Sequence, residues 1–139
     1  MGLRLAVLWK DIKNVENKSI SSSIKKYSTR SRKEMEALSA SINLKYILGI
    51  LASKLGRELL TLQRAGDYHI VPEHIRNIPV AYATQDQQNK IINIVDEILI
   101  SKQNDSSSDT SALESEIDRL VYHLYGLTEE EIKIVEGRD

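Results

Sequence analysis

The sequence predicts a mainly α fold with a minor β component, and three observations carry that expectation. Apolar residues recur at three- and four-residue intervals over long stretches after Leu44. Ser or Thr followed three residues later by Glu or Gln stands near the start of each such stretch, except the first, as a helix N-terminus requires. Only short runs, at residues 3–9 and 68–71, have the β-leaning, apolar character of strands. The expected architecture is a basic loop with short strands, a long core helix, then a C-terminal antiparallel helical hairpin and a short last helix. At 139 residues and 41% hydrophobic content the chain can bury a core of ordinary size without covalent staples.

In chain order, residues 3–9 are apolar and suit a short strand. Residues 10–33 are polar, Ser-rich and basic and suggest an extended loop carrying Lys10, Lys13, Lys18, Lys25, Lys26, Arg30, Arg32 and Lys33. Only Asp11 and Glu16 oppose them, and Trp9 and Tyr27 lie near its two ends. Ser31 and Glu34 have capping-box spacing and predict a first short helix, Arg32–Ala40. Leu44, Ile47, Leu48, Leu51, Leu55, Leu59 and Leu62 then mark one face of a core helix ending near Gly66. Gly49 and Gly56 within it each cost about 1 kcal/mol of helix propensity relative to Ala. With Ala52 and Ser53 they leave a low-relief stripe suited to close packing by another backbone.

Residues 67–80 read as strand, turn and extended exit. Tyr68, His69, Ile70 and Val71 lean to β structure, Pro72 opens a single helical turn, and Pro79 bars that turn from continuing. Thr84 and Gln87 repeat the capping signature ahead of Ile91, Ile94, Val95, Ile98 and Leu99, predicting a second long helix to about Gln103. After a polar loop at 104–109, Ser111 and Glu114 are expected to cap a third helix bearing Leu113, Ile117, Leu120, Val121 and Leu124, with Gly126 as a left-handed stop. A connection of about six residues normally returns the chain beside itself, so these two helices should form an antiparallel hairpin. Thr128 and the acidic run Glu129–Glu130–Glu131 open a last short helix ending near Gly137.

Charge is distributed unevenly. Residues 1–66 hold 13 Lys and Arg against 5 Asp and Glu, a net of +8, whereas residues 67–139 hold 6 against 15, a net of −9. The overall charge of −1 hides this polarity. A basic half recruits polyanions, and nucleic acid is the commonest large one.

Several function classes are disfavoured. The absence of cysteine removes disulfides, thiolate nucleophiles and cysteine-based zinc sites, and suits a reducing compartment. The longest apolar runs, such as 46–51, fall far short of the roughly 20 residues that span a bilayer. A soluble cytoplasmic protein with no membrane partner is therefore expected. No G-x-S-x-G, G-x-x-x-x-G-K-[ST] or G-x-G-x-x-G motif occurs. His69, His74 and His123 do not form H-E-x-x-H, and the five-residue spacing of the first two across a proline is awkward for one metal, so structural or surface roles are expected. Glu129, Glu130 and Glu131 suit the positive end of a helix dipole better than a metal. Asp96, Glu97, Glu114, Glu116 and Asp118 read as a solvated face. The chain is thus expected not to be an enzyme and to hold neither a metal nor a catalytic site.

Two binding candidates remain. In the basic loop, Lys and Arg neutralise phosphates while Asn14, Asn17, Ser19 and Tyr27 offer hydrogen bonds to phosphates or base edges. A solvated, partly disordered segment has the same composition. The second candidate is the stretch from Arg64 to His69, where Gly66 permits close backbone approach and Arg64, Asp67, Tyr68 and His69 supply donors and acceptors. A helix C-cap leading into a strand accounts for the same residues, and both can hold together.

The run YHIVPEHIRNIPV at 68–80, followed by QDQQNKIINIVDEILI at 85–100, resembles the end of a target-recognition domain in bacterial restriction–modification proteins. An I-P-x-P exit, here Ile78, Pro79, Val80 and Ala81 with the second proline replaced, precedes a Gln-containing helix start. Residues 109–137, DTSALESEIDRLVYHLYGLTEEEIKIVEG, are similar to the C-terminus of large DNA methyltransferases and fused restriction–methylation enzymes with a TaqI-like C-terminal specificity domain. Trp9, Lys10 and Asp11, the Asn17–Lys18–Ser19–Ile20 run, and residues 44–55 also match that pattern, so the resemblance covers nearly the whole chain.

The resemblance implies recognition rather than catalysis. The methyl-transfer half of that family carries [DNS]-P-P-[YF] and a glycine-rich S-adenosylmethionine loop; the two separated prolines exclude the first, and the second is absent. The implied object is the C-terminal part of a longer enzyme, which itself would use S-adenosylmethionine, while this part needs no cofactor. Residues 1–83 would be a partial target-recognition region and residues 84–139 a helical hairpin acting as spacer and docking element. The implied DNA contacts are Lys10, Lys13, Asn17, Lys18, Ser19, Lys25, Lys26, Arg30, Arg32, Lys33, Arg64, Tyr68 and His69. The expected partners are double-stranded DNA, the methyltransferase portion, and a second copy through the C-terminal helices. The alternative is a docking or dimerisation module whose basic half is merely solvated.

Overall fold

A computed structural model describes residues 3–4, 31–66 and 68–138. The greater part of the basic loop, with Lys10, Lys13, Asn17, Lys18, Ser19, Lys25, Lys26 and Arg30, lies outside the described residues. The described fold is mainly helical, as composition and periodicity predict. Its elements are β1 (Leu3–Arg4), α1 (Arg32–Ala40), α2 (Leu44–Ala52), α3 (Lys54–Arg64), α4 (Pro72–Arg76), β2 (Pro79–Val80), α5 (Gln85–Asn104), α6 (Ser111–Tyr125) and α7 (Glu129–Val135).

Three capping boxes form where the sequence places them. Glu34 accepts from the Ser31 N–H at 2.7 Å, and the Ser31 hydroxyl accepts from the Glu34 N–H at 3.3 Å. Thr84 with Gln87 and Thr128 with Glu131 do the same at the starts of α5 and α7. Each motif closes within one turn, so no distant residue is needed to form it.

The expected continuous core helix is two helices. Ser53 adopts an extended backbone (φ −63°, ψ 160°) and serves both sides of the break. Its N–H donates to the Gly49 and Ile50 carbonyls, closing α2. Its hydroxyl donates to the Ile50 carbonyl at 2.6 Å and accepts from the Gly56 N–H at 3.1 Å, opening α3. Serine competes for backbone partners in this way, which makes it a better cap than helix interior. The break changes the phase of the apolar face. Tyr46, Ile47, Gly49, Ile50, Leu55 and Gly56 are buried, whereas Leu44, Leu48 and Leu62, expected on the core face, are exposed.

The strand expected at 68–71 does not form. Those residues bend irregularly between α3 and α4, and pairing occurs instead at β2, antiparallel to β1 with Leu3 opposite Val80 and Arg4 opposite Pro79. β-propensity describes fit to a paired, half-buried surface, and among the described residues 68–71 has no strand beside it. The turn opened by Pro72 and the extended exit through Pro79 are present as expected.

At α6 the N-cap is Thr110, and the expected Ser111–Glu114 box is absent. Asp109 accepts from both the Ser111 N–H, at 2.9 Å, and the Ser111 hydroxyl, while Thr110 donates to Glu114 at 2.7 Å. A carboxylate is the stronger acceptor and captures the serine first. These bonds from Ser111 hold the Asp109 carboxyl below the usual carboxylate range. Gly126 is the left-handed stop, at φ 65°.

The core joins α2, α3, β2, α5 and α6. Tyr46, Ile50, Ile78, Val80, Ile91 and Val121 are essentially sealed from solvent. The apolar stripes of the α5–α6 hairpin are covered largely by this chain's own α2: Ile91, Val95, Ile117 and Val121 share one cluster with Tyr46, Ile47 and Ile50. Gly49 makes that approach possible, since a Cβ there would lie 2.4 Å from Ile91 Cγ2.

Candidate functional site

The second sequence candidate, 64–69, follows on from the end of α3, with Asp67 outside the described residues. α3 ends at Arg64, and the next two residues both take positive φ: Ala65 at 48° and Gly66 at 94°. Left-handed backbone is free for glycine but costs a non-glycine residue about 1–2 kcal/mol. The reversal is therefore imposed at Ala65 against its own preference. Beyond it Tyr68 is 93% exposed, His69 is exposed, and Ile70 and Val71 are about half exposed. The far end is fixed where the Val71 N–H donates to His74 Nδ1 at 3.2 Å, with the His74 ring buried. His74 thus has the structural role expected of it, and its Nδ1 is used as an acceptor.

Of the expected DNA-contacting residues, Arg64 ends α3, and Tyr68 and His69 are exposed between α3 and α4. Lys33 is exposed on α1, as is required of a phosphate contact. Arg32 opens the same helix. The remaining eight lie outside the described residues.

Three cations of α2 and α3, Lys45, Lys54 and Arg57, are used inside the fold. Lys45 Nζ pairs with Asp96 of α5 at 2.5 Å, and Lys54 Nζ lies 3.6 Å from Glu136 and 3.9 Å from Asp118. Arg57 Nε donates to the Ala52 carbonyl at 2.9 Å. The basic half and the acidic half are thus stitched together along these helices. By composition the basic surplus is concentrated in residues 1–33, which hold nine Lys and Arg against two Asp and Glu.

Asp118 corrects the expectation of a solvated acidic face. It is only 6% exposed, and its Oδ1 accepts from the Lys54 N–H at 2.8 Å. A carboxylate from α6 therefore closes the N-terminus of α3, where the helix dipole favours negative charge. The sequence held a signal for this, because Asp118 follows Ile117 and precedes Val121 by three, at the border of the apolar stripe. Glu116 behaves as expected, exposed to Arg119, whose hydrogen bonds hold its carboxyl below the usual range.

A second missed group fixes the extended exit at 79–83. The Tyr46 hydroxyl donates to the Ala81 carbonyl at 2.8 Å, and the Tyr125 hydroxyl donates to the Pro79 carbonyl at 2.6 Å while accepting from the Ala81 N–H at 3.2 Å. Buried Gln88 donates to the Ser41 carbonyl at 3.0 Å and the Ala83 carbonyl at 3.3 Å, and accepts from the Asn43 N–H at 3.1 Å. Burial pushes the Tyr46 hydroxyl well above its ordinary pKa, with Tyr125 adding to the effect, and burial raises Tyr125 as well. These are bonds of position: they hold the segment that carries β2, and hence its pairing with β1.

Among the described residues no group of three or more His, Cys, Asp or Glu is placed to hold a metal ion, and no helix is long and apolar enough to cross a membrane. No protein-family model, curated protein or solved structure matches the chain.

Proposed function

We propose that the chain is a non-catalytic DNA target-recognition (specificity) module of a restriction–modification DNA methyltransferase, working in the cytoplasm and binding duplex DNA through its basic N-terminal part and the turn at 64–69. The observation that carries the proposal is the concentration of positive charge: nine Lys and Arg against two acids in residues 1–33, beside a folded helical body in which Lys45 and Lys54 pair with acids of the same chain. Charge at that density binds phosphates by releasing counterions. The resemblance of 68–100 and 109–137 to C-terminal specificity domains narrows the polyanion to DNA and assigns S-adenosylmethionine to the parent enzyme. The helical body would then brace the basic part from behind, since its acidic C-terminal half is repelled by phosphates.

The test is a duplex titration across a range of salt. Binding should weaken with a log–log slope of roughly −0.9 per phosphate contacted. Reversing Lys25, Lys26, Arg30 and Arg32 to Glu should abolish it while leaving the circular dichroism unchanged. Salt-independent association, or no association below ~50 mM salt, refutes the proposal.

One observation favours docking as a second role for the hairpin. Leu99 and Ile100, near the C-terminal end of α5, are 47% and 58% exposed. Sedimentation of the Leu99→Asp, Ile100→Asp double variant against the wild type distinguishes the two: a wild-type dimer lost in the variant without loss of helix favours docking of a second copy, and a strict monomer in both removes self-association.

A further inference from the structure

No residue of α7 is buried, whereas α2, α3, α5 and α6 each bury part of their length. Leu127, Ile132 and Val135 are only partly buried where they pack on the core cluster, and Ile134 is 69% exposed. Polar links to α3 and α6 run through one carboxylate. Glu136, just past the last turn, lies 3.6 Å from Lys54 Nζ of α3, accepts from the Tyr122 hydroxyl of α6 at 3.4 Å, and pairs with Arg138. Lys54 is itself half-exposed and shared with Asp118 at 3.9 Å, so its hold on Glu136 is weak. The connection to α6 turns at Gly126, whose left-handed backbone (φ 65°) carries no side chain to resist rotation. Elements with few buried contacts and exposed backbone bonds are the ones that open below the energy of global unfolding.

We propose that residues 127–138 form a strap, with Glu136 as its clasp, that opens as one unit from α3 and α6 while α2, α3, α5 and α6 stay folded. A helix as short as the seven residues of α7 does not persist alone in water, so leaving the body and melting are a single event. Opening uncovers the Tyr122 side chain, which is 6% exposed while Glu136 lies against its hydroxyl. The body therefore has two states, one in which the chain's own C-terminal helix occupies the surface at Lys54 and Tyr122 and one in which that surface is free. The strap is independent of the DNA-binding reading, and its test needs no DNA.

Native-state hydrogen exchange of the full chain, followed by NMR across low urea concentrations, provides that test. The reporters are the amides of Ile132, Glu136, Gly137 and Arg138, which donate to the Thr128, Ile132, Ile134 and Lys133 carbonyls. They should share one opening equilibrium, nearly independent of urea and at least about 100-fold more populated than the opening that releases the Val95 and Val121 amides of α5 and α6. Glu136→Gln keeps the shape of the side chain and an acceptor for Tyr122 but removes the charge, and should raise the strap's opening about threefold. Exchange of the four reporters only together with Val95 and Val121, at the same urea dependence, refutes a separate strap. A steady gradient rising from Ile132 to Arg138 shows fraying from the end and refutes opening as a unit. Opening unchanged in Glu136→Gln refutes Glu136 as the clasp. The first two outcomes are read from the wild type alone, so they hold whether or not the variant folds.

Discussion

Replacing Gly56 with alanine should destabilise this protein, the reverse of what helix propensity alone requires. In an ordinary helix interior the change gains about 1 kcal/mol. Here a Cβ on residue 56 would lie 2.0 Å from the Ile50 carbonyl oxygen and 2.9 Å from both Ile50 C and Leu51 Cα. Carbon–oxygen contacts in proteins settle near 3.3 Å or more, so the junction must open by over about 1 Å. The atoms in the way are backbone, and no side-chain rotation relieves them. Opening the junction also pulls the Gly56 N–H from the Ser53 hydroxyl, now at 3.1 Å, and weakens the cap that starts α3. Overpacking costs about 1–3 kcal/mol and loss of a serine cap about 1 kcal/mol. Set against the propensity gain, the net loss is about 2 kcal/mol, or roughly 6–10 °C in melting temperature for a chain of this size. Urea and thermal unfolding followed by circular dichroism measure it. Gly49→Ala is the informative companion, because its obstacle is the Ile91 methyl at 2.4 Å and a side chain can shift where backbone cannot. Gly56→Ala should therefore cost more than Gly49→Ala. A Gly56→Ala protein as stable as wild type would refute the account of a sharp, close-packed break at Ser53.

The cap supplied by Asp118 gives a second expectation: Asp118→Ala should cost about 1–3 kcal/mol in urea unfolding by orphaning the Lys54 N–H, whereas Lys54→Ala, which removes only a half-exposed ammonium, should cost under about 1 kcal/mol. Equal losses would show that the ion pair, not the helix cap, is what matters. A third concerns alkaline pH. Tyr46, Tyr122 and Tyr125 all have raised pKa values, chiefly from burial, with Tyr122 pushed up to about 12 by burial and by the nearby Asp118 and Glu136 carboxylates. Each is neutral in the fold at a pH where the unfolded chain, with phenols near their ordinary 10, has begun to ionise. Their contribution is thus complete below about pH 10 and lost as the pH rises through the folded values. Stability against urea should fall steeply above about pH 10, and Tyr46→Phe, less stable by about 1 kcal/mol at neutral pH for want of its bond to Ala81, should show a shallower fall. A fall of unchanged steepness in that variant would exclude Tyr46 as a titrating group.

What the sequence determined by itself was the local structure. Ser31 with Glu34, Thr84 with Gln87 and Thr128 with Glu131 form their boxes because both partners lie within one turn, and Gly126 stops α6 because only its own backbone conformation is at stake. The surplus of positive charge before residue 34 is likewise a property of composition. Tertiary structure decided how those pieces are joined. It broke the core helix at Ser53, where periodicity runs on unbroken but the chain turns back so that Gly56 packs on the end of α2. It withheld a strand from 68–71, which has no paired neighbour among the described residues, and gave one to 79–80, where β1 pairs and two tyrosine hydroxyls hold the segment. It took Lys45 and Lys54 out of the basic half by pairing them with acids 51 and 64 residues away, and it put Asp118 at the start of α3. Periodicity marks which face of a helix is apolar, but which distant group meets that face depends on loop closure and packing across the whole chain, and no local window of sequence contains that information.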